Sequence, residues 1–526
     1  MSQPAAPVVD VNAPLPSSAP SLADLKAGLT VFFVALPLCL GIATASGAPP
    51  LSGLVAGLVG GSVVALASGA PLSVAGPAAG LTVIVLDAIT RHGLAGLLPA
   101  TILAGALQIL LGALKLGRVA QIVPNAVIRG MLAAIGLILV LKQLPHAVGY
   151  DADYEGDFSF GQMDGHNTFS ELIYAMSGFN VGAICVTAMA TIGLLAWRNY
   201  PTLPLRRYLP RELVAVLVGL GCALLLDGTS LALSAEHLVR IPLVAEAGGI
   251  RSLWSAPDLG LLANVEIYKT AFTLAVVASI ESLLSVEATD RLDPYHRMTP
   301  PNRELMAQGL GNVVSGAMGG LPVTAVVVRS VANVEAGGRS RWSSVTHGVL
   351  LAIATLVLAR GLNHIPLSAL AVVLIAVGAK LTSPSIYRQT YALGSEQFIP
   401  FVVTVGCILL TDLLSGVLLG IGFSVFFVVY RDFRSAIVVT DDVGYRLIRF
   451  VSSASFLHKP KLKAALETAP PGCHVIIDAT HARSIDADII ETIRDVEMHA
   501  STLGLTIAVQ RSPSAFHPYL REKVST

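Results

Sequence analysis

Long apolar runs dominate the chain and are broken by short polar connections. A helix needs roughly 20 apolar residues to cross the ~30 Å hydrocarbon core of a bilayer. Runs of that character predict membrane helices near 25–45, 51–69, 77–91, 94–115, 119–142, 179–197, 211–230, 267–288, 303–319, 323–335, 342–361, 366–381, 397–412 and 413–431. From about 438 the pattern changes. Tyr445–Val451 alternates as a strand does, Lys459–Glu467 reads as a helix, and His474–Asp478 as a buried strand. Asp486–Leu503 reads as a second helix and Leu505–Val509 as another strand. Strands alternating with helices predict a small α/β layer at 436–526, after a membrane domain at 21–435. The first 20 residues, rich in Pro, Ala and Ser, read as a disordered tail and not as a cleaved signal peptide.

Two of the runs are abnormal. One follows Ser73-Val-Ala-Gly-Pro-Ala-Ala-Gly80, the other Gly319-Gly-Leu-Pro322. Each offers only about 13 apolar residues, which as a helix cover roughly 20 Å. They are the third and the tenth run. Short, Gly/Pro-led runs at matching positions of two halves point to a transporter built from inverted repeats. Two half-helices starting near mid-membrane would aim unpaired backbone N–H groups and partial positive charge at each other. An anion between them needs no lysine or arginine at its centre. Amides near Ala79–Gly80 and Ala325–Val327 are therefore the expected anion holders, with Ala78 and Ala325 beside them.

Composition agrees with a polytopic membrane protein. Of 526 residues 54% are apolar and only 13% charged, with a mean hydropathy of +0.71. A soluble domain carries about 25% charged residues. The 34 basic residues balance 34 acidic ones, so net charge suggests no nucleic-acid partner. Five cysteines lack metal or disulfide spacing and read as small core residues.

Charge placement gives an orientation. Lys115 and Arg118, then Arg198, Arg206, Arg207 and Arg211, then Arg291, Arg297 and Arg303 all fall on even-to-odd connections. So do Arg339, Arg341, Lys380, Arg388, Arg431 and Arg434. Gln143–Trp197 has no Lys or Arg but holds Asp151, Asp153, Glu155, Asp157 and Asp164. Under the positive-inside rule both termini are cytoplasmic and the acidic stretch lies outside.

Two charges sit inside runs. Glu281 follows ten mostly apolar residues, and burying it costs several kcal/mol or more unless it is paired, protonated or wet. Ser285 lies one turn on, on the same face. The pair reads as a coupling site, for a proton or a cation, against a plain structural hydrogen bond. Arg329, seven residues past Pro322, adds positive potential to the anion site or pairs with a carboxylate. Asp87 reads as interfacial.

At these residues the chain resembles the sulfate permease (SulP) family of anion transporters. The matching stretches are Ala35-Leu-Pro-Leu-Cys-Leu-Gly-Ile-Ala-Thr-Ala-Ser-Gly47, Gly76-Pro-Ala-Ala-Gly80, Ser279-Ile-Glu-Ser-Leu-Leu-Ser285 and Asn302-Arg-Glu-Leu-Met-Ala-Gln-Gly-Leu-Gly-Asn312. Gly319-Gly-Leu-Pro-Val-Thr324 and Arg329-Ser-Val-Ala-Asn-Val-Glu-Ala-Gly-Gly-Arg339 complete the set. The resemblance implies a helical polytopic fold of fourteen spans as seven-plus-seven inverted repeats. Spans 1–4 and 8–11 would form a core, spans 5–7 and 12–14 a gate, and a cytoplasmic STAS domain would follow. It implies a homodimer in the inner membrane and a substrate site between spans 3 and 10. That site would be lined by Leu38, Ile42, Ala78, Ala79, Gly80, Ala325, Val326, Val327 and Arg329, with Glu281 and Ser285 for coupling.

The chain departs from the family at Ala78 and Val327, where some members carry a hydroxyl, and at Glu281, where sodium-coupled bicarbonate members carry Asp. Fewer hard oxygen ligands favour a proton, or no coupling, over sodium; no cofactor is expected. Ile485-Asp-Ala-Asp488 matches the place where regulatory STAS proteins carry a phosphorylatable serine, so Asp488 is either a fixed charge or a helix cap. Bicarbonate and sulfate are the expected substrates, with transport by movement of the core against the gate. A proton-coupled dicarboxylate carrier, an uncoupled channel or exchanger, a nucleobase carrier and a membrane-anchored regulator are the alternatives. No P-loop, zinc spacing or nucleophile elbow suggests an enzyme.

Overall fold

The computed structural model describes residues 19–117, 123–151, 167–199, 209–241 and 255–435, then 437–510 without 452–453, 471, 481, 483 and 501–503. The expected N-terminal tail up to residue 18, Arg118, Arg206, Arg207 and the acids Asp153 to Asp164 lie outside those residues. The chain divides into two compact units, Met1–Ile421 and Gly422–Thr526. The division falls earlier than the 435/436 boundary expected from the sequence, inside the last apolar helix.

The first unit is helical. Its helices are α1 Leu22–Ala45, α2 Pro50–Ala67, α3 Thr82–Ala113, α4 Asn125–Ala147, α5 Thr168–Ser177, α6 Val181–Asn199 and α7 Arg211–Leu226. They continue as α8 Val265–Leu292, α9 Pro301–Ala317, α10 Val327–Glu335, α11 Trp342–Leu362, α12 Leu367–Leu381, α13 Pro384–Ala392, α14 Ser395–Leu410 and α15 Leu413–Ser435, whose residues from Gly422 on belong to the second unit. Two three-residue strands, β1 Ala75–Pro77 and β2 Val323–Ala325, pair antiparallel.

Each of the fourteen expected runs carries helix. Among the described residues, eight helical stretches are long and apolar enough by length and composition to cross a membrane, or nine when the bent pair α5–α6 counts as one. The third and fourth runs are two helical pieces of α3 that meet at Gly93, whose φ of 68° and ψ of 172° are not helical and disfavour any side chain. Two details differ from expectation. The sixth run is preceded by α5, and the two meet at a bend of 111°. The tenth run is a strand followed by only nine helical residues.

Local chemistry sets the helix ends. At α1 the Ser21 hydroxyl accepts from the Asp24 amide while Asp24 accepts from the Ser21 amide, a reciprocal cap. The other oxygen of Asp24 accepts the amides of Arg339 and Ser340, both at 2.8 Å, which ties the start of α1 to the entry of α11. Proline opens α2, α9 and α13, where its missing donor costs nothing.

The helices pack in two groups. α3 lies against α8 and α9, and α1 against α2, α10 and α11. α4 lies against α12 and α14, while α6 and α7 pack on each other and on α12. Contact between the groups runs chiefly through α1 on α12 and α8 on α4, and is sparser.

The second unit holds a four-stranded sheet in the order β3 Ile437–Asp442, β4 Tyr445–Phe450, β5 His474–Asp478, β6 Thr506–Gln510. β3–β4 is an antiparallel hairpin, and β4–β5 and β5–β6 are parallel. The crossovers carry α16 Lys459–Glu467 and α17 Ala487–His499. β3 was not expected, because most of it is solvent-facing and lacks a buried stripe. At the start of α17 the cap position is Asp486, without a capping side-chain bond, and Asp488 sits exposed in the first turn. Asp488 is therefore not the cap residue, although its charge still suits the helix start.

Candidate functional site

The site is built where the two Pro-led segments meet. Chain breakage by Gly76-Pro77 and by Gly320-Leu321-Pro322 leaves extended backbone, and the two extended pieces satisfy each other. Ala75 faces Ala325, Gly76 faces Thr324 and Pro77 faces Val323. Directly after β1 a single turn at Ala79–Leu81 leads into α3, and after β2 the chain enters α10. Two helix starts thus flank one two-stranded crossing.

A cavity of about 490 Å³ opens at these starts. Leu38 and Ile42, one turn apart on α1, line it together with Ala79, Gly80, Val326, Val327 and Arg329. Glu281 and Ser285 of α8 line it from a further side. Ala78 and Ala325, expected in the lining, are buried outside it, at 3% and 0% exposure. Both lie in extended backbone, where successive side chains point to opposite sides. Their neighbours Ala79 and Val326 take the cavity face instead.

The amides also divide differently from expectation. Ala325 N–H donates to Ser282 Oγ at 3.2 Å and Val326 N–H to the Val74 carbonyl at 3.0 Å. Those two are spent on the fold. Helix geometry leaves the amides of Val327, Val328 and Arg329 without an acceptor inside α10. On the other side the Gly80 amide is directed at the Glu281 carboxylate.

Two charged groups converge here. Arg329 is wholly buried, and Nη2 reaches the Pro77 carbonyl at 3.5 Å. Its Nε and Nη1 have no hydrogen-bond partner, and no carboxylate pairs with it among the described residues. Of the two readings of Arg329, positive potential at the cavity is the one the geometry fits. The guanidinium approaches Gly76 with Nη1 leading: a Cβ there would sit 1.9 Å from Nη1 and 3.0 Å from Cζ. Glu281 is likewise pressed on Gly80, where a Cβ would stand 3.0 Å from Oε1, and its Oε2 has no partner. At Gly76 a side chain would overlap the guanidinium outright, whereas at Gly80 the carboxylate would have to give by a few tenths of an ångström.

The wall opposite α8 and α10 was not foreseen. Ile135 and Ile138 of α4, Ile408 of α14, and Thr411, Asp412 and Ser415 at the α14–α15 connection complete the cavity. Asp412 accepts the Ser415 amide at 3.0 Å. The polar pair Thr411-Asp412 between two apolar runs was the available signal. Asp87, read as interfacial, is exposed and pairs with Arg91 at 2.8 Å. No group of three or more His, Cys, Asp or Glu that could hold a metal occurs among the described residues. The arrangement can hold a small anion between helix amides and a buried guanidinium, next to a carboxylate able to carry a compensating proton or cation.

Comparison with known proteins fits this geometry. The model of the sulfate permease family matches residues 22–404. A putative sulfate transporter of Bacillus subtilis, YvdB, is 28% identical over 78% of this chain and 73% of its own length. The bicarbonate transporter BicA of Picosynechococcus is 28% identical over 77% of this chain and 68% of its own. The solved transmembrane domain of a cyanobacterial BicA superposes with a TM-score of 0.52 at 25% identity, covering 77% of this chain and 97% of that one. Murine Slc26a9, an anion transporter solved in an inward-facing state, gives 0.64 at 16% identity over 96% of this chain and 87% of that one, a likeness of fold alone. With a family model spanning residues 22–404 and a pair of helix starts closing on one cavity, the chain belongs to the sulfate permease family.

Proposed function

We propose that this protein is a secondary active transporter of small inorganic anions, of the bicarbonate or sulfate class. The observation that carries this reading is the cavity in which the first α10 amides, without an acceptor inside their helix, and Arg329, paired with no carboxylate among the described residues, face Glu281 across a small apolar space. Sulfate and bicarbonate transporters among its relatives support the substrate class. A dicarboxylate carrier finds no such support among those relatives.

In this reading the chain crosses the inner membrane fourteen times as seven-plus-seven inverted repeats, with both termini cytoplasmic, and acts as a homodimer. The group around α1–α3 and α8–α11 is the core that carries the anion. The group containing α4, α6, α7, α12 and α14 is the gate, and the sparse contact between the groups suits sliding. Glu281 and Ser285 couple transport, with a proton preferred to sodium because Val327, at the cavity, offers no hydroxyl ligand. The C-terminal unit is a STAS-type domain that stabilises or regulates.

The test is uptake of labelled bicarbonate, sulfate and succinate into proteoliposomes, with and without proton and sodium gradients. Accumulation of bicarbonate or sulfate above succinate supports the proposal. Failure to carry either inorganic anion under any gradient overturns it.

A further inference from the structure

Behind the cavity lies a buried polar network that never touches it. Asn312 of α9 is 1% exposed and Gln108 of α3 wholly buried. Val323 N–H donates to Asn312 Oδ1 at 2.6 Å, and Asn312 Nδ2 donates to the Val323 carbonyl at 3.0 Å. One side chain thus satisfies both backbone groups of the first residue of β2. The same Nδ2 donates to Gln108 Oε1 at 2.7 Å, and Gln108 Nε2 donates to Ser279 Oγ at 3.3 Å. Ser279 lies two residues before Glu281 on α8. One turn after Asn312, Ser315 Oγ donates to the Leu321 carbonyl at 2.6 Å.

A second Ser/Asn pair with the same three-residue spacing grips the opposite strand. Val74 N–H donates to Ser330 Oγ at 2.9 Å, and Asn333 Nδ2 donates to the Leu72 carbonyl at 2.9 Å. Both residues belong to α10. The crossing of β1 and β2 is therefore held on each side by side chains and not by further strands. Two three-residue strands alone would not hold their register, since a two-stranded piece is marginal by itself. Apolar packing fixes volume but not direction; buried side-chain hydrogen bonds, complete at Asn312 and Gln108, fix direction.

We propose that Asn312, braced by Gln108, is a positioning residue: it fixes β2 so that the α10 amides and Arg329 face the cavity at a set distance from Glu281. Gln108 bonds both Asn312 and Ser279, so the acidic and the basic sides of the cavity share one brace. This inference rests on the transport reading for its kinetic readout. Its geometric readout stands apart from that reading.

The experiment compares the full-length parent with Asn312→Ala and Gln108→Leu. Hydrogen exchange is followed in peptides spanning 72–80 and 323–329, thermal unfolding is recorded, and labelled sulfate and bicarbonate uptake is measured against concentration in liposomes. Asn312→Ala should speed exchange in both peptides and raise the half-saturating anion concentration about ten-fold, the worth of one or two hydrogen bonds. Gln108→Leu, which leaves the Val323 bonds in place, should raise half-saturation less, with maximal rate per folded protein kept within about two-fold. A residue needed only for folding would lower the amount of active protein and leave half-saturation unchanged. Parent-like exchange in 323–329, or parent-like half-saturation in the folded fraction of both variants, overturns the inference. If the parent carries neither anion, the transport reading falls, and the exchange measurement still decides whether Asn312 positions β2.

Discussion

Gly76 has no room for a side chain, because the Arg329 guanidinium occupies the space a Cβ would take. Gly76→Ala should push that guanidinium aside. Overpacking strain of this kind is worth ~1–3 kcal/mol, so anion affinity should fall by roughly ten- to hundred-fold. Adding Arg329→Gln to Gly76→Ala should then cost little more than either change alone, because both remove one interaction. Strictly additive losses in the half-saturation for sulfate or bicarbonate would show that Gly76 does not act through Arg329. Glu281 carries a different expectation. Glu281→Gln mimics the protonated carboxyl, so the variant should keep anion exchange but lose acceleration by an inward proton gradient. Proton dependence unchanged from the parent would remove Glu281 as the proton carrier. An absolute sodium requirement in the parent would make it a metal ligand instead. For steric block of the cavity, Ala79 is the position to enlarge; Ala78 and Ala325 point into the protein.

Between elements, a group of titrating side chains ties the end of α4 to the segment after α7. Asp151 Oδ1 is 2.6 Å from His146 Nδ1, and Oδ2 is 2.6 Å from His237 Nδ1. His237 Nε2 faces Asn180 at 3.1 Å and Glu236 at 3.8 Å. Close by in sequence, Lys142 of α4 and Glu171 of α5 form a buried pair at 3.4 Å. Burial alone would raise the Asp151 carboxyl, but hydrogen bonds and charge from His146 and His237 hold it below its ordinary value. The hydrogen bond to Asp151 outweighs desolvation at His237 and holds that imidazole above its ordinary 6.5. The two shifts bound a pH window. A lowered acid contributes stability above its unfolded value and loses it as pH falls through the folded one. A raised histidine contributes fully below its unfolded value and loses it as pH rises through the folded one. The clasp should therefore be tightest in mildly acidic solution and loosen as pH rises above the ordinary histidine value of 6.5. Hydrogen exchange of peptides covering 146–151 and 234–238, corrected for intrinsic rates, should be slower at pH 6 than at pH 8.5. Asp151→Asn should flatten that difference and destabilise by on the order of 2 kcal/mol. A pH-independent ratio in the parent would refute the clasp.

At the scale of the whole molecule, the C-terminal sheet has its own core. Ile448, Phe450, Val475, Ile477, Ile489 and Ile493 are buried among themselves at the heart of one cluster. The anion cavity uses nothing beyond Ser415. Truncation after Ser435 removes the whole sheet and should leave a membrane domain that folds and takes up anion with the parent's half-saturation, even where its melting temperature drops. A truncated protein that is folded yet binds no anion would mean the sheet completes the pathway.

Much of this was legible in the chain itself. Apolar runs gave the helices, because each must be long and continuous on its own. The glycine- and proline-rich breaks at Gly76-Pro77 and Gly319–Pro322 marked the two helix starts, because proline and glycine act locally. Alternation after residue 438 gave the α/β layer for the same reason. What needed the tertiary structure was every relation between distant residues. Arg329 reaches Pro77 across 252 positions, and Asn312 reaches Gln108 across 204. Periodicity carries no information at that range, so nothing marked Asn312 as a brace or His146 and His237 as partners of Asp151. Direction was hidden too: in extended backbone a one-residue step turns a side chain to the other face, and that step separates Ala78 and Ala325 from the cavity-lining Ala79 and Val326. The sequence by itself determined that the long apolar runs are helical and where glycine and proline break them, since those depend on neighbours along the chain; the short helices α5 and α13 carried no such signal. Only the packed structure decided which side chains share the cavity, since that depends on neighbours in space.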